Sequence, residues 1–204
     1  MMKKLEMSII GCVVAVLICG CASVSPQLYA LIPTAAPSGE ASDLAVTVGP
    51  VSVPEAVDRP QLVSIVAPNK LRVDEFNRWA SPLKNGIART VAENLAVIMG
   101  SPYVSVFPQS VSVAPSYRVA IDVVRFESVP GSEARLGALW SVRSAADGKS
   151  RNGATTLAEP VKESAPAAMV AAHSRMLGGL SVDIAAAIRS LAAGARKGAA
   201  GPAK

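Results

Sequence analysis

The chain has 204 residues, half of them hydrophobic, with 20 Lys plus Arg against 15 Asp plus Glu, one His, three Cys, and 15 each of Gly and Pro spread along its length. That size suits one domain with a sizeable core, and the composition excludes a disordered or fibrous chain. The net charge of +5 does not make a nucleic-acid binder: residues 1–20 carry +1 (Lys3, Lys4, Glu6), the stretch from Gly194 carries +3 (Arg196, Lys197, Lys204), and the remaining +1 gives the body no basic face to follow phosphates.

Lys3 and Lys4 precede an apolar stretch from Met7 to Cys19 broken only by Ser8, and small residues follow, the layout of a secretory signal over residues 1–20. Its apolar core of about a dozen residues falls short of the roughly 20 that a membrane-spanning helix needs. Ile18-Cys19-Gly20-Cys21 resembles the bacterial lipobox, and that resemblance implies that Cys21 is diacylated on sulfur, becomes the new N-terminus and is acylated again. Ile9-Ile10-Gly11-Cys12 fits the same pattern but has too short an apolar run before it, so Cys21 is the expected lipidation site. Each buried methylene contributes about 0.8 kcal/mol, so one acyl chain binds reversibly whereas two or three hold firmly. Residue 22 is Ala, not the Asp that resembles an inner-membrane retention signal, which implies the inner leaflet of the outer membrane, facing the periplasm.

With Cys12 and Cys19 in the signal and Cys21 on lipid, the remaining chain has no thiol. Disulfides, a Cys nucleophile, a Cys-rich zinc site and an iron–sulfur cluster are excluded.

Residues 21–27 then form the lipidated N-terminus and a short tether. Six residues, Ala22 to Gln27, reach about 20 Å when fully extended. Residues 28–193 read as a single domain. Leu28 to Ile32 is expected to be a first strand, and Pro33 to Ser42 a loop. Leu44 to Val53 alternates through a Gly49-Pro50 interruption, which suits an edge strand or a bulge. Leu62–Val66 and Lys70–Val73 flank Pro68-Asn69 as a hairpin. From Pro82 the period changes: Leu83, Ile87, Val91, Leu95 and Ile98 recur at steps of 4, 4, 4 and 3, with Ser81 at the expected N-cap, Pro82 at the first helical position and Gly100 past the end.

Tyr103 to Phe107 reads as a further strand. Tyr117 to Ser128 is long and β-rich, and its apolar set changes side near Val123, the mark of a bulge or two-sided burial. Pro130-Gly131 turns the chain, Ala134 to Val142 returns, Asp147 to Gly153 is a polar turn, and Ala154 to Val161 completes a meander. Met169, Met176, Leu177, Leu180, Ile184, Ile188 and Leu191 trace a final helix whose Gly178-Gly179 pair marks a close approach to the sheet or a kink. Residues 194–204 are small and basic and are expected to be disordered. The predicted fold is α+β: a mostly antiparallel or mixed sheet with two main helices packed on one face and the other face free for a partner.

Enzymatic signatures are absent: there is no Gly-x-Ser-x-Gly, no His-Glu-x-x-His, and Asp147-Gly148-Lys149-Ser150 lacks the first glycine of a phosphate loop, Arg143 standing in its place. His173 sits on the apolar stripe of the last helix without a nucleophile motif, and Asp122 is expected to face water. No catalytic residue, metal site or cofactor is called for. The densest stretch of polar, basic and aromatic residues is Asp58-Arg59-Pro60-Gln61-Leu62-Val63 with Phe76-Asn77-Arg78-Trp79-Ala80-Ser81-Pro82-Leu83. Phe76 and Trp79, three apart, would share a side in one helical turn ending before Pro82. Two readings stand: the rings close the core at the mouth of the first helix, or Trp79 and Arg78, with Asp58, Arg59 and Phe76, hold a protein partner.

The lipobox, Tyr29-x-Leu31, Asp58 to Val63, Phe76-x-x-Trp79-Ala80-x-Pro82-Leu83 and Glu93-Asn94-Leu95, in this order, resemble the ABC-type transport auxiliary lipoproteins, the PqiC (YmbA) family, over about Cys21 to Leu191. The resemblance implies a non-enzymatic outer-membrane lipoprotein that works with a periplasm-spanning MCE-domain protein and an inner-membrane transport component in lipid traffic and membrane integrity. A homo-oligomer that matches a bridging tube is a further expectation. The alternative is a lipoprotein of another ABC-type transporter that itself carries lipid.

Overall fold

A computed structural model describes residues 25–38, 41–108 and 114–199. The signal, Cys21, Gly39 and the last five residues lie outside them.

The strands form two sheets. Five of them, β2 (Val46–Ser52), β5 (Val104–Val106), β6 (Tyr117–Val129), β7 (Glu133–Ser144) and β8 (Ser150–Pro160), lie in the order β5-β2-β6-β7-β8. β5, β2 and β6 run parallel; β6, β7 and β8 form the antiparallel meander. Along β6 the alternation Tyr117, Val119, Ile121, Val123 is buried, and then a register shift between Val123 and Arg125 puts Phe126 on the buried side where an unbroken alternation would have put Arg125. The change of side in the sequence is thus a bulge. Gly49-Pro50 is likewise a break in register, between Val48 and Val51, but β2 is not an edge: β5 and β6 flank it.

Helices α1 (Leu83–Met99) and α2 (Pro166–Ala199) cover one face of this sheet, α1 over β2 and β5, α2 over β7 and β8, and they touch each other. This is the α+β arrangement expected. Leu83, Ile87, Val91, Leu95 and Ile98 of α1 meet Leu177, Leu180, Ile184 and Ile188 of α2 in one core with Val119 and Leu136. Each such side chain contributes about 1.5–3 kcal/mol by leaving water. α1 begins one residue later than expected: Pro82 is the N-cap, its carbonyl accepts from the N–H groups of Asn85 and Gly86, and no side chain caps the helix. Gly100, in the left-handed region, ends it.

α2 passes through Gly178-Gly179 without interruption. A Cβ at Gly178 would lie 2.7 Å from Thr34 Oγ1, and one at Gly179 would lie 2.9 Å from Leu157 Cδ1. The pair is a close approach to a loop on one side and to β8 on the other. α2 also runs on to Ala199, so residues 194–199 are helical where disorder was expected. Its window Pro166–Arg196 is long and apolar enough to span a membrane, but half of that window is buried inside the domain.

The second sheet has three strands, β1 (Gln27–Tyr29), β3 (Gln61–Ala67) and β4 (Lys70–Trp79), in the order β1-β4-β3. β3 and β4 form the expected hairpin, and β1 is parallel to β4. β1 is shorter than expected: Leu31, beyond its end, is buried and Ile32 is exposed.

Candidate docking site

The five residues singled out as partner contacts converge on one corner, where β4 ends, β3 begins and α1 starts. A 3-10 turn at Glu55–Val57 delivers the exposed pair Asp58 and Arg59. The next residue, Pro60, offers its carbonyl to the Trp79 N–H at 2.7 Å, and Gln61 pairs with Arg78. Lys84, in the first turn of α1, reaches Asp58 Oδ2 at 3.4 Å, an exposed ion pair worth about 0–1 kcal/mol.

Phe76 and Trp79 do not share a side. The stretch is strand, because β1 adds a third strand along it: Gln27, Leu28 and Tyr29 pair with Asn77, Arg78 and Trp79. Between Gln61–Arg78 and Leu62–Asp74 the hairpin register jumps, and Asp74 organises the extra residues. Its Oδ1 accepts from the N–H groups of Phe76 and Asn77, both at 3.0 Å, and its Oδ2 from the Asn77 amide at 2.9 Å. Partial burial alone would raise the Asp74 pKa, but these hydrogen bonds and the Arg72 charge outweigh it and hold the carboxyl below its ordinary value. Beyond the bulge the strand alternates. Trp79 turns inward and meets Phe126 edge-on, ring centres 6.1 Å apart. Phe76 stays 53% exposed, and Leu28, which pairs with Arg78 from β1, is 64% exposed. Arg78, half-buried, donates Nε to the Glu75 carbonyl at 2.9 Å. The corner therefore separates the two readings of the rings: Trp79 closes the core, and Phe76 with Leu28 faces outward beside the start of the described chain.

Behind Trp79 lies the seam between the sheets. Phe126 stacks on His173, ring centres 3.7 Å apart and planes within 10°. His173 Nε2 is 2.9 Å from Ser128 Oγ, and its Nδ1 has no partner among the described residues. Burial pushes the imidazole down to about 3, so it is neutral at ordinary pH. The accompanying void, about 20 Å³ between Trp79, Leu83, Phe126 and His173, is too small for anything beyond one water. A serine–histidine contact this enclosed cannot receive a substrate. Asp147 is held down to about 2 chiefly by its hydrogen bond with Lys149 in an exposed turn, and Asp122 is exposed and accepts from Ser52 Oγ. Among the described residues no group of three His, Cys, Asp or Glu side chains is placed to hold a metal ion.

One residue escaped sequence reasoning except as part of a motif. Asn94, fully buried in α1, accepts from the N–H groups of Thr34 and Ala35 at 2.9 Å each and so ties the loop after β1 to the helix. The signal was present: Asn94 falls three residues after Val91, on the buried side of the helix.

The arrangement has relatives. A protein-family profile described as the ABC-type transport auxiliary lipoprotein component matches residues 27–185, from the first residue of β1 into the middle of α2. The chain belongs to this family. In solved structures the fold recurs in an uncharacterised protein (TM-score 0.65, 18% identity, 80% of this chain and 99% of the other). It recurs also in protein XCC0632 from Xanthomonas campestris (TM-score 0.63, 20% identity, 78% and 92%). At such identities the likeness is one of fold. No curated protein matches the chain. The family's definition covers both the exposed corner and the helix-packed sheet, and it makes the protein an auxiliary lipoprotein of a transport system.

Proposed function

We propose that this lipoprotein is a non-enzymatic docking subunit of an MCE-type intermembrane lipid transport system, held under the outer membrane by acylated Cys21 and facing the periplasm. The observation that carries the reading is the position of β1. Gln27, six residues after Cys21, already pairs with Asn77, so the strip of exposed Leu28 and Phe76 with half-buried Arg78 lies within a tether's length, about 20 Å, of the anchor. Aromatic and Arg side chains dominate contact energies, and Asp58 and Arg59 add charge at the same corner. The periplasm-spanning MCE protein is the partner assigned to this strip, and an inner-membrane component completes the system. Function then comes from position and complementarity.

Phe76→Ala and Arg78→Ala together should reduce capture of the MCE partner at least tenfold while leaving the fold intact, because both side chains are largely outside the core. Undiminished capture would move the contact elsewhere. The lipid-carrying alternative has its own feature, an open groove of about 190 Å³ where Ile65, Leu71 and Val124 meet between the hairpin and β6. Phospholipid that co-purifies with the protein and is lost when Leu71 and Val124 become Asp would favour that reading.

A further inference from the structure

β8 is an edge strand, Ser150 to Pro160, and among the described residues it pairs with β7 alone. The Ser144 N–H donates to the Lys149 carbonyl at 2.9 Å, the Val161 N–H donates to the Ser132 carbonyl at 2.8 Å, and the register between them is unbroken. In an antiparallel ladder these two bonds set the phase of everything between. The odd-numbered residues of β8 exchange hydrogen bonds with β7, and the N–H and C=O groups of Asn152, Ala154, Thr156 and Ala158 point away from the sheet. The side chains of these four residues are small and exposed. The odd-numbered side chains meet α2: Arg151 donates to Ser190 Oγ at 2.6 Å, Thr155 to Asp183 at 2.6 Å, and Arg175 of the helix donates to Glu159 at 2.7 Å. Natural sheets guard an edge of this length with Lys, Pro, a bulge or a covering element. Between Asn152 and Ala158, β8 has no Lys, Pro or bulge.

We propose that β8 is a self-pairing edge: two copies of this chain join β8 to β8, antiparallel, about a two-fold axis at Thr155, so that two five-stranded sheets become one. Two separate features select this register. Full overlap of Ser150–Pro160 with itself sets Asn152 opposite Ala158 and Ala154 opposite Thr156, so that outward groups meet outward groups as hydrogen-bonded pairs require. The same overlap sets Arg151 opposite Glu159 of the second copy, and Gly153 opposite Leu157, at both ends of the two-fold contact. Sliding the strands by one step puts Arg151 against Leu157 or Val161 and loses the charge match. Both charged groups have capacity left: Arg151 uses only Nη1 on Ser190, and Glu159 only Oε2 on Arg175. The inference assumes nothing about lipid or transport partners.

The test uses the chain from Cys21 onward with Cys21→Ser, which contains no other thiol. It should sediment as a dimer, and Ala154→Cys with Thr156→Cys in the same chain should oxidise to a covalent dimer. Thr156→Pro removes one outward N–H and none that faces β7, and should weaken dimerisation at least tenfold. Arg151→Glu should weaken it similarly, with recovery in Arg151→Glu/Glu159→Arg, a rescue that a folding defect would not give. A monomer at high concentration that forms no cross-link overturns the proposal. An oligomer indifferent to both Thr156→Pro and Arg151→Glu overturns it as well.

Discussion

The two sheets obey different rules. In the five-stranded sheet the inward positions of β6 and β7 are buried almost without exception, and the two helices bring matching stripes. In the three-stranded sheet β4 has ten residues and none is fully buried, with Leu71 and Phe76 among those exposed. The first sheet is shaped by hydrophobic burial, which is periodic along the chain. The second is held by particular contacts: the Asp74 hydrogen bonds, the Pro60 carbonyl on the Trp79 N–H, and three residues of β1. A region that spends so little of its surface on its own core has surface to offer, and its first strand opens near the start of the described residues.

That difference can be broken at the seam where Phe126, His173 and Trp79 join the sheets. His173, the sole histidine, has its pKa lowered from 6.5 to about 3 by burial. Between those values the unfolded chain binds a proton that the folded chain refuses, so stability falls as pH drops below 6.5, by up to about 1.4 kcal/mol per pH unit. Denaturant titrations should show a loss approaching roughly 3 kcal/mol by pH 4.5, a window above the ordinary carboxylate range. His173→Phe should flatten that slope; an equal slope in the variant would place the acid sensitivity elsewhere.

The rings on β4 sharpen the comparison with smaller effects. Trp79→Ala removes a half-buried ring from the seam and should cost about 2 kcal/mol, below the 3–5 typical of fully buried aromatics. Phe76→Ala, three residues away, should change stability by less than about 0.5 kcal/mol. Equal losses in thermal or urea unfolding would mean that the two sides of β4 are not distinct.

The same contrast explains what could be read from the sequence. α1 was legible to within one residue because five apolar positions, a proline and a glycine all agreed. The bulge near Val123 was legible because burial changes side there. β8 was expected from Ala154 but begins at Ser150, since Ser150, Arg151 and Asn152 are exposed and leave no alternation, and Gly153 lies under the Trp140 ring. The helical turn expected at Phe76–Trp79 failed because its strand partner β1 lies some fifty residues away and carries three residues only. For β2 both an edge strand and a bulge were open, and the register break at Gly49-Pro50 is the second; that β5 and β6 flank the strand was not legible, because they come from distant segments and pairing over that range leaves no local mark. Within the candidate site the residue types were visible, but which ring turned inward depended on the bulge that Asp74 makes.

The account rests most heavily on the anchor, and intact-mass and peptide mass spectrometry of the protein isolated from its native membrane test it directly. The N-terminal peptide should begin at Cys21 and carry the added mass of its acyl chains. An N-terminal peptide without added hydrocarbon mass would contradict the lipid anchor and, with it, the placement of the docking corner beneath the membrane.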